Sequence, residues 1–160
     1  MTIKVGEKIP SVTLKTMQDG TMKAVTTDEL FKGKKVVLFA LPGAFTPTCS
    51  AKHLPGFVQK AAELKGKGVD TIACLSVNDA FVMDAWGKQQ NAGENVVMLA
   101  DGNAEFTKKV GLQMDGSKFG MGERSQRYAM LIDDGVVKQL YVEAPGAFEV
   151  SSAEHMLKNL

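Results

Sequence analysis

Residues 36–49 read VVLFALPGAFTPTC, and this stretch decides the fold prediction. The apolar run Val36–Leu41 predicts a buried strand, and a helical pattern begins near Ser50. Cys49 therefore lies where a strand passes into a helix, close to unpaired backbone N–H groups and to the positive end of a helix dipole. Both features favour the thiolate, which is the nucleophilic form of cysteine. We therefore expect the chemistry of this protein to centre on Cys49.

Strand and helix signals alternate along the rest of the chain. We predict strands over residues 12–14, 35–41, 69–77, 96–100, 128–132 and 136–142, with turns at 18–20 and 133–135. We predict five helices. The first runs from a capping box at 26–29 to Gly33, and the second from Cys49 to about Leu64 with a kink at Pro55. The other three run from a cap at Asn78 or Asp79 through Trp86, over 104–110, and from a cap at 151–154 to Leu160. The glycine-rich residues 111–122 are expected to form an ordered loop or excursion.

This order of elements predicts an α/β fold. Alternating strands and helices followed by an antiparallel pair imply a mixed central sheet flanked by helices on both faces. The expected fold is a thioredoxin-like fold with N-terminal additions, and residues 1–160 suit a single domain.

Composition limits the classes of function. The chain has 19 basic and 18 acidic side chains and a net charge of +1, so it carries no electrostatic footprint for nucleic acid or a membrane. Residues 1–10 are too polar for a signal peptide, and no apolar run is long enough to span a bilayer. Two cysteines do not make a disulfide framework, which favours a reducing compartment. We therefore expect a cytoplasmic location.

The residues before Cys49 suit attack on a small electrophile. Thr46 lies about one helical turn before Cys49, so its hydroxyl is expected to point at the same spot as the sulfur. Pro42 and Pro47 stiffen the loop, and the Cys49 N–H is a further donor of the oxyanion-hole kind. Thr46 stands where a dithiol oxidoreductase would need a second cysteine, so an oxidised Cys49 is expected to start as a sulfenic acid.

The pattern Pro42-x-x-x-Thr46-x-x-Cys49 matches the signature of the peroxiredoxins, which are thiol peroxidases on a thioredoxin-like fold. The string PGAFTPTCS at 42–50 and the segment KHLPGF at 52–57 resemble the subfamily that includes plant type II and mammalian type V enzymes. The segments at 75–82 and 127–130 resemble it too. The resemblance covers nearly the whole chain.

The resemblance implies a role for each matching residue. Cys49 would be the peroxidatic cysteine, Thr46 would hydrogen-bond the peroxide, and Pro42 would shield the sulfur from water and over-oxidation. Arg127 would hold the thiolate and the peroxide oxygens, because a guanidinium keeps its proton and offers a fixed fork of donors. Arg124 is the alternative bearer of that role, and if both residues lie in the strand, alternation would place it on the opposite face from Arg127.

The chain departs from some relatives, which carry a resolving cysteine near the position of Ser151 or Ser152. Cys74 is the only other thiol and is expected to be a buried core residue. The resemblance then implies a one-cysteine peroxidase for hydrogen peroxide and alkyl hydroperoxides. An external thiol, either glutathione with glutaredoxin or thioredoxin, would regenerate it, and the enzyme would be a homodimer. A peroxide-sensing relay protein that passes oxidation to a partner is the alternative function.

The two histidines have separate expectations. His53 lies four residues after Cys49 and could tune the sulfur, but a structural hydrogen bond is favoured. His155 is expected on the surface of the last helix. The histidines and cysteines have no short spacing that would favour zinc, and no cofactor is expected.

Overall fold

A seven-stranded mixed sheet forms the centre of the molecule, and the computed structural model describes residues 1–160. Its strands are β1 (Thr13–Gln18), β2 (Thr21–Thr26), β3 (Lys35–Ala40), β4 (Thr71–Ser76), β5 (Val97–Ala100), β8 (Tyr128–Asp133) and β9 (Val136–Val142), and β6 (Gln113–Asp115) pairs separately with β7 (Glu123–Ser125). The order across the large sheet is β2-β1-β5-β4-β3-β8-β9. Strands β3, β4 and β5 are parallel, and the other pairs are antiparallel.

Helices lie on both faces of this sheet. They are α1 (Thr27–Phe31), α2 (Leu54–Gln59), α3 (Ala61–Gly66), α4 (Ala80–Gln89), α5 (Glu105–Lys109) and α6 (Ala153–Lys158), with a π-helical segment at Cys49–His53 and a 3₁₀ turn at Ser117–Phe119. No helix combines the length and the apolar character needed to cross a bilayer. The predicted α/β class, with a mixed sheet between helices, is confirmed.

Strand β3 divides the core into two hydrophobic clusters. Val37 and Phe39 point into one cluster, and Val36 and Leu38 into the other, as the two-residue period of a strand requires. The first cluster contains Cys49 and is covered by side chains of α2, α4 and α6. The second is covered by α1, α5 and the N-terminal residues. The candidate site therefore lies on the face of the sheet that the first cluster occupies.

Side-chain caps fix three helix starts. The predicted capping box of Thr26 and Glu29 begins α1. Asp79 accepts from the Val82 N–H and begins α4, and Ser152 does the same for α6 through the His155 N–H. Each cap satisfies one of the N–H groups that a helix start leaves without an internal partner.

The structure adds detail to two predictions about local structure. Pro55 lies in the first turn of α2, directly after the π-helical segment, where its missing N–H is tolerated. The helix breaks at Lys60, whose φ and ψ are −95° and 5°. The ordered loop or excursion predicted at 111–122 holds β6 and the 3₁₀ turn.

Candidate active site

Cys49 begins the π-helical segment that follows the loop from Pro42. The N–H of Leu54 donates to the Cys49 carbonyl, five residues back, which is the bond that defines a π turn. The cysteine is fully buried and belongs to the apolar cluster under α2 and α4. The Cys49 sulfur therefore lies beneath the side chains around it.

Arg127 lies directly over this sulfur. It precedes β8, and its Nη2 donates to Cys49 Sγ across 3.1 Å. Its Nη1 donates to His53 Nδ1 across 2.9 Å, and its guanidinium carbon lies 5.9 Å from the centre of the Phe148 ring. The structure thus brings together Cys49 and Arg127, which are 78 residues apart in sequence.

Arg124 occupies a different place. Its Nε donates to the Met121 carbonyl at 3.0 Å, and its Nη1 donates to the Pro42 carbonyl at 3.4 Å. A Cβ on Gly43 would lie only 3.0 Å from Arg124 Nη1, so the glycine makes room for this guanidinium. The argument from strand alternation does not apply, because Arg124 lies in β7 and Arg127 lies before β8. Arg124 supports the loop, and Arg127 contacts the sulfur.

The Thr46 hydroxyl has a partner other than Cys49. It donates to the Gly43 carbonyl at 2.7 Å and thereby closes the turn before the π-helical segment. A hydroxyl that donates its proton in this way keeps lone pairs that can accept from a peroxide O–H. Pro42 is half-buried and, together with Arg127, lines a pocket of about 380 Å³.

His53 is buried and has partners on both ring nitrogens. Nε2 lies 2.9 Å from the Ser151 carbonyl oxygen, and Nδ1 accepts from Arg127. Burial and the neighbouring Arg127 charge lower the His53 pKa to about 3, so the ring is neutral at physiological pH. The predicted structural hydrogen bond is confirmed. The contact with Arg127 was not predicted from sequence.

Cys74 lies in the middle of β4, opposite Phe39 of β3, and its predicted burial is confirmed. Burial and the nearby Cys49 raise the pKa of the Cys74 thiol well above its ordinary value, and Arg127 offsets this only in part. Because the thiolate is the reactive form, the second thiol of the chain is unreactive at neutral pH.

The two serines near the C-terminus have structural partners. Ser151 is buried, and its hydroxyl donates to Glu143 Oε2 at 2.7 Å. Ser152 caps α6. Burial raises the pKa of the Glu143 carboxyl, but the hydrogen bonds from Ser151, Glu149 and Val150 outweigh it and hold that pKa below its ordinary value.

Sequence reasoning missed Glu143 and Phe148, which reach the site through Ser151 and Arg127. The signal that could have pointed to Glu143 is an acidic residue directly after the strand residues Tyr141 and Val142. His155 is half-buried on the last helix, with its ring edge-on to Tyr141 at 4.6 Å.

A buried cysteine under a guanidinium, on a thioredoxin-like fold, defines a site for thiol oxidation and reduction. Comparison with known proteins agrees. Residues 4–157 match the family model described as Redoxin. The chloroplastic peroxiredoxin-2E-2 of Oryza sativa subsp. japonica is 58% identical across 99% of this chain and 73% of its own length. Peroxiredoxin-2B of Arabidopsis thaliana is 49% identical across 99% of this chain and 98% of its own.

A solved structure is equally similar. Reduced Prx3 from Vibrio vulnificus, crystallised in complex with H₂O₂, is 59% identical with a TM-score of 0.95, and the match covers 99% of each chain. The chain therefore belongs to the redoxin family and, within it, to the peroxiredoxins of the group that includes the plant type II enzymes. It is accordingly a thiol-dependent peroxidase, an oxidoreductase.

Proposed function

We propose that this enzyme reduces hydrogen peroxide and small alkyl hydroperoxides by a one-cysteine mechanism with Cys49 as the reacting thiol. The observation that carries the proposal is the 3.1 Å contact between Arg127 Nη2 and Cys49 Sγ. The only other thiol, Cys74, is buried within β4 and cannot serve as an exposed resolving cysteine.

The oxidation step follows from these positions. The Cys49 thiolate attacks the terminal peroxide oxygen, so an S–O bond forms as the O–O bond breaks. The sulfur is oxidised to a sulfenic acid, and the leaving oxygen takes a proton from solvent and departs as water or an alcohol. Arg127 stabilises the negative charge that develops on the leaving oxygen. Thr46 accepts a hydrogen bond from the peroxide, and Pro42 keeps water from the sulfur.

Regeneration needs a thiol from another molecule. A first thiol condenses with the Cys49 sulfenic acid, forms a mixed disulfide and releases water. A second thiol then attacks that disulfide and restores Cys49. Glutathione with glutaredoxin, or thioredoxin, can supply both thiols, and steady-state peroxide consumption with each system side by side shows which of them the enzyme uses.

The first prediction tests the identity of the reacting cysteine. Cys49→Ser should show no peroxide consumption above background with either reductant system, because a serine hydroxyl is not ionised at neutral pH. The matched variant Cys74→Ser should keep most of the activity. Substantial turnover by Cys49→Ser, or a comparable loss in both variants, would contradict the mechanism.

The relay alternative uses the same sulfur but does not cycle. Stopped-flow oxidation by peroxide, followed by an added reductant, separates the two functions. An enzyme returns to the reduced thiol and reacts again over many turnovers, whereas a relay protein transfers one oxidation to its partner. Trp86 offers a signal, since its Nε1 donates to Ser50 Oγ at 3.0 Å, next to Cys49.

We also propose that the enzyme is a homodimer that packs through loops near the active site. Three exposed aromatic side chains support this: Phe45, Phe81 and Phe119 are 49%, 62% and 77% exposed. The backbone of Phe45 has a φ of +63°, an uncommon value for a bulky residue. Their segments adjoin the loop from Pro42, since Asn78 Oδ1 accepts from the Ala44 N–H and Met121 approaches Gly43.

The second prediction concerns this assembly. Sedimentation velocity at micromolar concentration should give the mass of two chains, and Phe45→Ser should shift the boundary toward one chain, because it removes apolar area from the contact. The control is Met22→Ser, because the Met22 side chain is exposed. A buried ring such as that of Phe31 would not serve, since its replacement changes the core. A monomer in the unmodified protein would refute the dimer.

A cytoplasmic location stays a prediction. The rice relative is named chloroplastic, which weighs against the cytoplasm. Fractionation of the source cells, with an antibody against this chain, decides between the compartments.

A further inference from the structure

The ring of His53 sits in an apolar pocket that leaves its two nitrogens only two polar partners. Phe39, Phe57 and Phe148 surround it, with ring centroids 5.0, 5.7 and 5.1 Å away. The side chain is fully buried, so water does not compete for its hydrogen bonds. Its orientation is therefore set by the Ser151 carbonyl on one side and by Arg127 on the other.

These two partners also fix the tautomer. A guanidinium can only donate, so Nδ1 must be the accepting nitrogen. A carbonyl can only accept, so Nε2 must carry the proton and donate to Ser151. The ring is thus a neutral, directional link between the backbone of the segment before α6 and the guanidinium over Cys49.

The carbonyl that holds His53 is itself held in place. Glu143 Oε2 accepts from the backbone N–H groups of Glu149, Val150 and Ser151 at 2.8, 2.9 and 2.8 Å. It also accepts from the Ser151 hydroxyl. Four donors on one buried carboxylate oxygen fix the path of this segment, and with it the position of the Ser151 carbonyl.

We propose that His53 is a positioning residue for the peroxidase reaction, supported by Ser151 and Glu143, and that it aims the Arg127 guanidinium at the Cys49 sulfur and the peroxide. The proposal rests on the peroxidase mechanism given above. The Arg127 fork has one arm on His53 and the other on Cys49, so a turn of the guanidinium about the first contact moves the second. A displacement of about 1 Å is enough to cost about 100-fold in rate.

Two substitutions at His53 separate positioning from packing. His53→Asn loses most of the ring packing, but its Oδ1 stands near the place of Nδ1 and can still accept from Arg127. His53→Leu keeps an apolar side chain among the three phenylalanines and offers Arg127 no acceptor. We therefore expect opposite orders in stability and in rate. His53→Leu should be the more stable variant because of its packing, and His53→Asn should react faster because it can still accept from Arg127.

The readout is the second-order rate constant for H₂O₂ with reduced enzyme, measured by stopped flow, beside the thermal midpoint of each variant. His53→Leu should react about 10-fold or more slowly than the unmodified enzyme, and His53→Asn should recover part of that loss. The matched control is His155→Leu, at the histidine that packs on Tyr141 away from the site, and its rate should not change.

An asparagine variant no faster than the leucine variant would overturn the proposal, as would an unchanged rate in His53→Leu. Should neither variant fold, Glu143→Gln decides, because it leaves His53 in place and weakens the hydrogen bonds that hold residues 149–151. A several-fold slower reaction is expected for it, and an unchanged rate overturns the proposal. If the unmodified enzyme itself fails to consume peroxide, the proposed function is at fault and not the role of His53.

Discussion

At the scale of single residues, the site depends on two arms of one guanidinium. Arg127 reaches Cys49 with Nη2 and His53 with Nη1, and its planar fork holds both contacts at once. From the sequence, Cys49 and Arg127 could be assigned to one site only through resemblance to a family, because no local pattern relates residues that are 78 positions apart. The direction of the Thr46 hydroxyl was not predictable, since the competing Gly43 carbonyl exists only once the turn has formed.

The prediction for this residue is a loss of rate in Arg127→Lys. The ammonium keeps the positive charge but has no fork, so it cannot hold His53 and the reacting atoms together. We expect the second-order rate constant for H₂O₂ to fall by about 100-fold or more, which is the usual cost of removing one preorganised donor at a developing anion. Stopped-flow oxidation of the reduced enzyme measures it.

Arg124→Lys is the matched comparison. Its guanidinium contacts the carbonyls of Met121 and Pro42 but has no contact with the sulfur, so the fall in rate should be much smaller. A larger fall in Arg124→Lys than in Arg127→Lys would reverse the assignment of the two arginines.

At the scale of elements, the sequence predicted the strands and helix starts that local signals specify. The strands β3, β4 and β8 are apolar runs that are buried on both faces. The caps at Thr26, Asp79 and Ser152 follow from side chains that satisfy helix N–H groups within three residues. Such signals act over a few residues, and for this reason they can be found without the fold.

The elements that were missed depend on the assembled structure. A π turn differs from an α turn by one residue, and the apolar spacing around Cys49 fits both. Strand β6 pairs with β7 across the 3₁₀ turn and has only three residues, too few for a periodic pattern. The hydrogen bonds from the segment before α6 to Glu143 connect residues that no sequence motif relates. These features nevertheless set the geometry of the site.

At the scale of the whole molecule, one sheet draws its strands from both halves of the chain, and His53 ties three separate regions to each other. Its ring joins the π-helical segment, the residue before β8 and the segment before α6. That residues 1–160 form a single domain stays a prediction. Because the pKa of His53 is lower in the folded than in the unfolded state, its burial couples global stability to pH.

The last prediction follows from this coupling. The folded pKa of His53 is about 3, whereas an unfolded histidine titrates near its ordinary value of 6.5. Between these two values the unfolded state binds more protons, so the stability that depends on neutral His53 is fully present above pH 6.5 and falls as the pH drops toward 3. From pH 7.5 to pH 5 the free energy of unfolding should fall by about 2 kcal/mol from this residue alone. Urea unfolding at fixed protein concentration at each pH measures the change, since a dimer would make stability depend on concentration.

The difference between two variants isolates the contribution of His53 from that of the carboxylates. His53→Leu has no imidazole to protonate, so its loss of stability over the same pH range should be smaller by about 2 kcal/mol. His155→Leu should retain the full loss, because the buried ring at position 53 is unchanged. If His53→Leu kept the same pH dependence as the unmodified protein, the His53 pKa would be the same in the folded and the unfolded states, and burial of this ring would not couple stability to pH.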